Sequence, residues 1–563
     1  MKRSLLFGMG RPSVAVLIPF LVGAMVAGCG ASAAGAGGVV QAALDNSVTS
    51  LDPAQASDAS TFEVLAAVDE GLVRINQAGE AEPGIASSWQ VNAAGTTYTF
   101  HLRSNARWSN GAPVTAEDFV YAWKRAVNPE TASPYASDFS LISGTAPLLQ
   151  PLPSTSDTSA YKAALAQVPQ ELAQVQVQAP NATTLIVQLT GSAPYWIDMT
   201  ALPAYYPVDP AMVAKAGSSF GTKASLAVYD GPFEVSSWTP GAQFTLVRNP
   251  DYWDASTVQI KGITLHVVPS ASTQVDMFKA GELSLLEVPA TYLKEFSGNP
   301  DFHQVPGSDS GIIVANTRSG NPTANANLDC AVSAALNRSE FVNQVLGGGS
   351  EPAPSIVPPG AQPPGGQYQV PAGDLQPVDG DAALAKSDLQ AALEQMDLSK
   401  APTLRLLVPA VASVEQQAQA LIGMWQAVGI PVQTVPLDTS ALLGDASQGD
   451  FNLMLFGWNA DYPDPTTFLD LFLPGNQFNF GDFANTAYEQ LLSTAGTATG
   501  AARSEDLANA EGEILHTCAV IPLTWNLTSY VTVPSLHGVV ADPFGTPFDF
   551  RWASLSTSSA AKG

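Results

Sequence analysis

Positive charge is scarce in this sequence: Lys and Arg number 23 against 50 Asp and Glu, a formal charge of −27. A surface that neutralises phosphates must be basic, so nucleic acid is excluded as a partner. An anionic membrane surface would repel the chain too, unless something covalent holds it there. Histidine and cysteine are also rare. His101, His266, His303, His516 and His537 lie far apart and the three cysteines form no CxxC. No ligands are spaced for zinc, and neither a metal nor a cofactor is expected. Charged residues make up only 13% of the chain and apolar residues 46%. That excludes general disorder and supplies a sizeable core. At 563 residues the chain has room for about three or four compact units.

Long apolar runs are missing as well. The one that stands out, Val14 to Val26, follows a basic start at Lys2, Arg3 and Arg11. Its 13 residues are too few for the ~20 of a membrane-spanning helix and suit a signal-peptide core, placed at residues 1–28. The run ends in Val26-Ala27-Gly28-Cys29, which resembles the lipobox of bacterial lipoproteins. There the cysteine sulfur receives a diacylglyceryl group and cleavage leaves that cysteine first. The alternative is an ordinary signal peptide with an incidental cysteine. Gly30 to Gly38 contains only Gly, Ala and Ser, a flexible tether at residues 29–38. The expected location is extracytoplasmic, periplasmic or cell-surface, with Cys29 anchored in the membrane. Removal of the leader leaves 20 basic against 50 acidic residues, a charge of −30.

Strands and helices are mixed without strict alternation, which indicates a large α/β protein. Thr97 to Leu102 alternates polar and apolar, the signature of a half-buried strand. Thr115 precedes Asp118 by three, and Phe119, Val120, Trp123 and Val127 follow at helical spacing. Further strands are expected at Thr183 to Leu189, Phe244 to Val247, Ile263 to Val268 and Leu404 to Val408. Helices are expected at Cys330 to Leu346, Ala382 to Met396, Val414 to Val428 and Ser504 to Leu515. Glu351 to Leu375 is rich in proline and glycine and reads as a loop or crossing segment.

An ordered series of motifs then narrows the class. Leu51-Asp52-Pro53, Glu70-Gly71-Leu72-Val73, Pro83-Gly84-Ile85-Ala86, Ser88-Trp89, Tyr98 to Arg103 and Trp108 to Phe119 come first. Thr131 to Ser137, Asp230-Gly231-Pro232-Phe233, Arg248 to Trp253 and Gly457 to Pro465 follow. Over about residues 45–550 the series resembles the solute-binding proteins of peptide ABC transporters, the oligopeptide- and dipeptide-binding family (solute-binding family 5). The resemblance implies a two-lobed periplasmic-binding-protein-like fold (type II, cluster C) with an inserted third subdomain. Lobe I would take residues 39–69, 209–309 and 527–563, the insertion 70–208, and lobe II 310–526. Closure would be a hinge motion at crossings near Ser310 and Asn526.

Within that frame Gly457 to Asp464 is the candidate ligand site. Phe451 to Leu455 is an apolar strand, Gly457 permits a close backbone approach, and Trp458, Asn459, Ala460, Asp461 and Tyr462 follow. An added peptide strand is recognised by its main chain, and a carboxylate at one end fixes register on the α-ammonium group. By resemblance that carboxylate is Asp461; the alternative is a turn residue before Tyr-Pro. Tyr135 matches a family tyrosine that faces the peptide backbone, or else is a packed ring. The sequence departs from the family in having no Arg, Lys or His from Ala441 to Trp458 or from Val408 to Glu415, which puts a fixed partner for a peptide carboxylate in doubt. Asn327 to Ala331, usually Arg-rich, departs as well. With Cys29 lipidated, Cys330 and Cys518 are the only cysteines left, and the family places both in lobe II of an oxidised compartment. A disulfide between them is expected, with two buried thiols as the alternative.

Enzyme readings are poor. Gly217-Ser218-Ser219-Phe220-Gly221 matches the GxSxG elbow, but a helix ending at Gly217 precedes it where a strand is required. Asp461 and Asp464 share one turn rather than facing across a cleft. The expected protein is therefore a monomeric, non-enzymatic binding lipoprotein that hands peptides, chiefly oligopeptides, to a permease and its ATPase. A sensory lipoprotein on the same scaffold, or an importer component for a non-peptide ligand, is the alternative.

Overall fold

The computed structural model describes residues 38–556 apart from 78, 156, 364–366, 461 and 542–545. Cys29 and Asp461 therefore lie outside the described residues, as do the leader and nearly all of the tether. None of the described helices is long and apolar enough to cross a membrane.

Two four-stranded sheets and one of seven strands carry the fold. The first four-stranded sheet joins Val39–Leu44 in parallel to Gly262–Val267, which continues antiparallel to Gln243–Arg248 and Phe233–Thr239. The second lies wholly within the segment between those strands, in the order Ala86–Val91, Thr97–Leu102, Thr184–Gln188, Val177–Asn181. Thr97–Leu102 buries every second residue, as its alternation requires. The helix Ala116–Val127 begins where the Asp118 carboxylate accepts the Thr115 N–H at 2.8 Å.

The large sheet runs Leu285–Glu287, Val520–Thr532, Phe302–Ala315, Leu453–Asn459, Leu404–Pro409, Val432–Leu437, with Ser350–Pro352 also on Val520–Thr532. Ile312 and Val314 join one core with Met454, Phe456 and Leu407, while Ile313 and Ala315 join another with Leu404, Leu406 and Leu453. Both faces are buried, so these strands read as continuous apolar runs rather than alternating ones.

Two long strands of this sheet, Phe302–Ala315 and Val520–Thr532, contain the positions near Ser310 and Asn526 where the crossings are expected. Phe302–Pro306 pairs with Val531–Leu527, and Ser310–Val314 with Trp525–Val520. The ladder breaks between them at Pro306 and Ser310. Proline has no N–H to give, and a Cβ at Gly307 would lie 2.8 Å from the Asn526 carbonyl oxygen, so the irregularity is built into the chain.

The motif residues of the N-terminal half mostly build the junction between the two smaller sheets. Asp52 forms a two-pronged ion pair with Arg125 at 2.5 and 2.7 Å. Glu70 accepts from the Tyr252 hydroxyl (2.8 Å) and from the Trp253 indole, and its backbone N–H donates to Asp230. A Cβ at Gly231 would stand 2.6 Å from the Asp69 nitrogen, so this glycine is required by close approach.

Two expectations are corrected. The helix expected over Cys330 to Leu346 is broken: Ala326–Ala334 ends, and a new turn starts at Arg338 with the Asn337 side chain accepting the Glu340 N–H at 2.9 Å. The buried Arg338 guanidinium holds the break by donating to the carbonyls of Ser333, Pro377 and Pro522. Cys330 consequently sits inside a helix rather than at its start. It is bonded to Cys518, which follows the helix Gly500–Thr517 at positive φ, with 5.1 Å between the Cα atoms. This bond closes 188 residues of chain and restrains the unfolded state. Replacing both cysteines with alanine should cost about 2–5 kcal/mol and lower Tm. Alkylation of denatured, unreduced protein should find neither thiol free; two labelled thiols there would remove the bond from the account.

Candidate ligand-binding site

The strand Leu453–Asn459 leads into the candidate site. One edge is fully paired, Leu453 to Asn459 against Ala315 to Asp309. On the other edge Leu404–Pro409 pairs it only at Leu406–Leu453 and Leu407–Met454. Among the described residues no strand pairs that edge from Leu455 to Asn459. A short stretch of main chain is thereby left open to an added strand.

The residues after Gly457 are fixed by contacts from three directions. Trp458 donates its indole N–H to the Thr467 hydroxyl at 3.4 Å and packs edge-on against Phe478, with 4.8 Å between centroids. The Asn459 side chain accepts the Ser308 hydroxyl at 2.7 Å, and the Ala460 N–H donates to the Ser308 carbonyl at 3.0 Å. Both contacts tie the site to the crossing segment. Tyr462 stacks flat on Tyr195 of the inserted region, 4.5 Å between centroids and 9° between planes. The Tyr135 ring meets Phe62 edge-on at 5.4 Å and packs against the two N-terminal cores, one of which Tyr462 also borders.

Asp464 has a cation that its own stretch of sequence does not supply. No basic residue lies in the neighbouring sequence, yet the helix Gly500–Thr517 brings in Arg503. Its guanidinium grips both oxygens of Asp464 at 2.6 and 2.9 Å, with side chains only 7% and 5% exposed. The same carboxylate accepts from the Thr466 N–H and hydroxyl, and the Arg503 guanidinium also faces the Tyr195 ring at 5.8 Å. This neutralises Asp464, which is thereby a structural anchor of the loop. Asp198 and Asp470 remain. Burial first, then the Asp464 charge, pushes Asp198 up to about 7 and Asp470 up to about 6, with Arg503 opposing both. Arg503 could not be found from spacing, because 39 residues separate it from Asp464.

Two spaces adjoin the loop. A cavity of about 30 Å³ beside Pro463, Arg74 and Arg551 has room for about one or two waters and no peptide residue. A groove of about 470 Å³ opens beside Trp458, Tyr462, Asp470 and Phe478, within the range of small-molecule sites.

Comparison with known proteins settles the class. The model of the bacterial extracellular solute-binding proteins, family 5, matches residues 80–480. The chain belongs to that family. The oligopeptide-binding protein OppA of Bacillus subtilis (strain 168) is 31% identical over 503 residues, 87% of this chain and 88% of that protein. The periplasmic murein tripeptide binding protein MppA, in its unliganded open form, superposes with a TM-score of 0.79 at 26% identity, covering 94% of this chain and 99% of that one. The peptide-bound OppA of Listeria monocytogenes shares the fold at a TM-score of 0.63 and 24% identity, covering 93% and 100%.

Arg503→Leu leaves the Asp464 carboxylate buried and unpaired and should cost about 3–5 kcal/mol. Adding Asp464→Leu should restore part of that loss, because the stranded charge goes with it. Chemical unfolding of the two variants checks both; equal stability of Arg503→Leu and the parent would make the pair a surface-like ion pair.

Proposed function

We propose that this protein is the substrate-binding lipoprotein of an ABC importer, which captures peptides in the cleft between its lobes and delivers them to a membrane permease with its ATPase. The carrying observation is the strand Leu453–Asn459, open on one edge beyond Met454 and ending at the 470 Å³ groove. An extended peptide laid on that edge is held through its main chain, which every peptide shares whatever its sequence. Trp458, Asn459, Ala460 and Tyr462 frame its end, and Asp461 between them takes the α-ammonium group. The names of the relatives, which bind oligopeptides, dipeptides and murein peptides, support peptide as the ligand class. Tyr135, which borders the same core cluster as Tyr462, faces the peptide main chain.

In this reading residues 39–69, 209–309 and 527–563 form lobe I, 70–208 the inserted subdomain and 310–526 lobe II; the separate cores around Phe244 and around Ile312 and Leu404 support the division, while Val213 and Phe220 pack with the inserted region. A diacylglyceryl group on Cys29 holds the monomeric protein at the outer face of the membrane despite its negative charge. A single acyl chain binds only marginally, so two or more chains are needed. Cys29→Ser should release the protein or leave its leader uncleaved; membrane retention at the mature size would contradict the anchor.

Asp461→Asn keeps the shape and removes the charge. It should weaken free-amine peptides by about 2–5 kcal/mol, the usual cost of truncating one partner of a desolvated pair. N-acetylated peptides bring no ammonium group and should change little. Calorimetry with both ligands on both proteins gives the coupling directly. Equal losses for the two peptides, or none, would reduce Asp461 to a turn residue.

A further inference from the structure

The charge and shape of the 470 Å³ groove are not explained by main-chain recognition. Its walls are the indole of Trp458 and the ring of Phe478, set 60° apart. Asn476 and Gln477 lie at its rim, and Asp470 is the one charged residue among those that line it. The Asp470 carbonyl accepts the Asn476 side-chain amide at 2.8 Å. Its carboxylate makes no hydrogen bond and no ion pair with any described residue. Arg503, the cation that reaches this region, is spent on Asp464, since both of its terminal nitrogens lie on that carboxylate. The loop therefore balances the charge of Asp464 and leaves Asp470, at the groove and close to the Tyr462 ring, without a counter-ion of its own.

We infer that this groove is a subsite for a lysine or arginine side chain of the bound peptide, with Asp470 as its counter-ion and Trp458 and Phe478 as its aromatic walls. The inference rests on the peptide reading and names the class of peptide. Aromatic faces attract cations, more strongly as water is removed. A carboxylate enclosed without a partner is costly, so closure over a neutral or acidic side chain at this point is disfavoured. Closure over a cation converts that cost into a charge-assisted contact. The net charge of the mature chain acts in the same direction at long range by concentrating cationic ligands around it. Selectivity here is compatible with loose recognition elsewhere, because the main-chain edge and the side-chain groove are separate features of one loop.

The experiment uses the full mature chain and calorimetry with penta-alanine and with peptides carrying one lysine, or one norleucine, at each position in turn. Norleucine has the lysine stem without the charge. For at least one position the lysine peptide should bind about tenfold or more tighter than its norleucine twin. Asp470→Asn should bring that peptide to the norleucine level while leaving the norleucine and penta-alanine affinities within about threefold of the parent. The parent-protein comparison stands even if the variant folds poorly. Equal binding of lysine and norleucine at every position would overturn the subsite and leave the peptide reading intact. Lysine selectivity that survives Asp470→Asn would also overturn it. Failure of all these peptides to bind would overturn the peptide reading and the subsite together.

Discussion

The connection between the lobes is the constraint on which the rest depends. In the proposed division the chain passes from one lobe to the other along Phe302–Ala315 and returns along Val520–Thr532, and these two strands are hydrogen-bonded to each other. Their ladder is broken between Pro306 and Ser310, with a second register shift between Gly311 and Ile312. A paired ribbon resists bending except where pairing lapses, so bending is favoured within Pro306 to Ile312. The same few residues position the site: Ser308 touches both Asn459 and Ala460. Ser308 thus links the crossing segment directly to the proposed ligand loop through Asn459 and Ala460.

Charge is distributed with the same economy. The chain carries few cations, and several of them are committed to buried acids at junctions: Arg125 to Asp52, Arg551 to Glu70 and Arg503 to Asp464. Where a buried acid lacks a cation, as at Glu511, hydrogen bonds from Val357 and Tyr368 serve instead, and burial pushes its carboxyl up to about 7. Acids still outnumber cations over the chain, and the groove shares in that excess through Asp470. A negatively charged capture protein repels its own copies and anionic surfaces while attracting ammonium groups.

Much of the architecture was legible in the sequence for identifiable reasons. Thr97–Leu102 alternates because one face meets a core, and the helix Ala116–Val127 announces itself through Thr115 and Asp118. The broken helix after Ala334 was not legible, because what breaks it is the burial of Arg338 against carbonyls from Pro377 and Pro522, distant in sequence. Arg503 was missed for the same reason: ion pairs formed by folding leave no spacing signal. The motif residues Glu70, Asp230 and Asn249 were recognisable as a pattern, whereas their structural task at the junction of two sheets appears only when the contacts are seen. The groove beside Phe478 has no motif at all.

The central claim is that ligand capture is a closure of two lobes about the Pro306–Ser310 break. Small-angle scattering of the mature protein, with and without a peptide shown by calorimetry to saturate it, tests that claim most directly. The account predicts a smaller radius of gyration in the peptide-bound protein, and a scattering curve that moves from that of an open two-lobed particle towards a closed one. Superimposable curves at full saturation would contradict it.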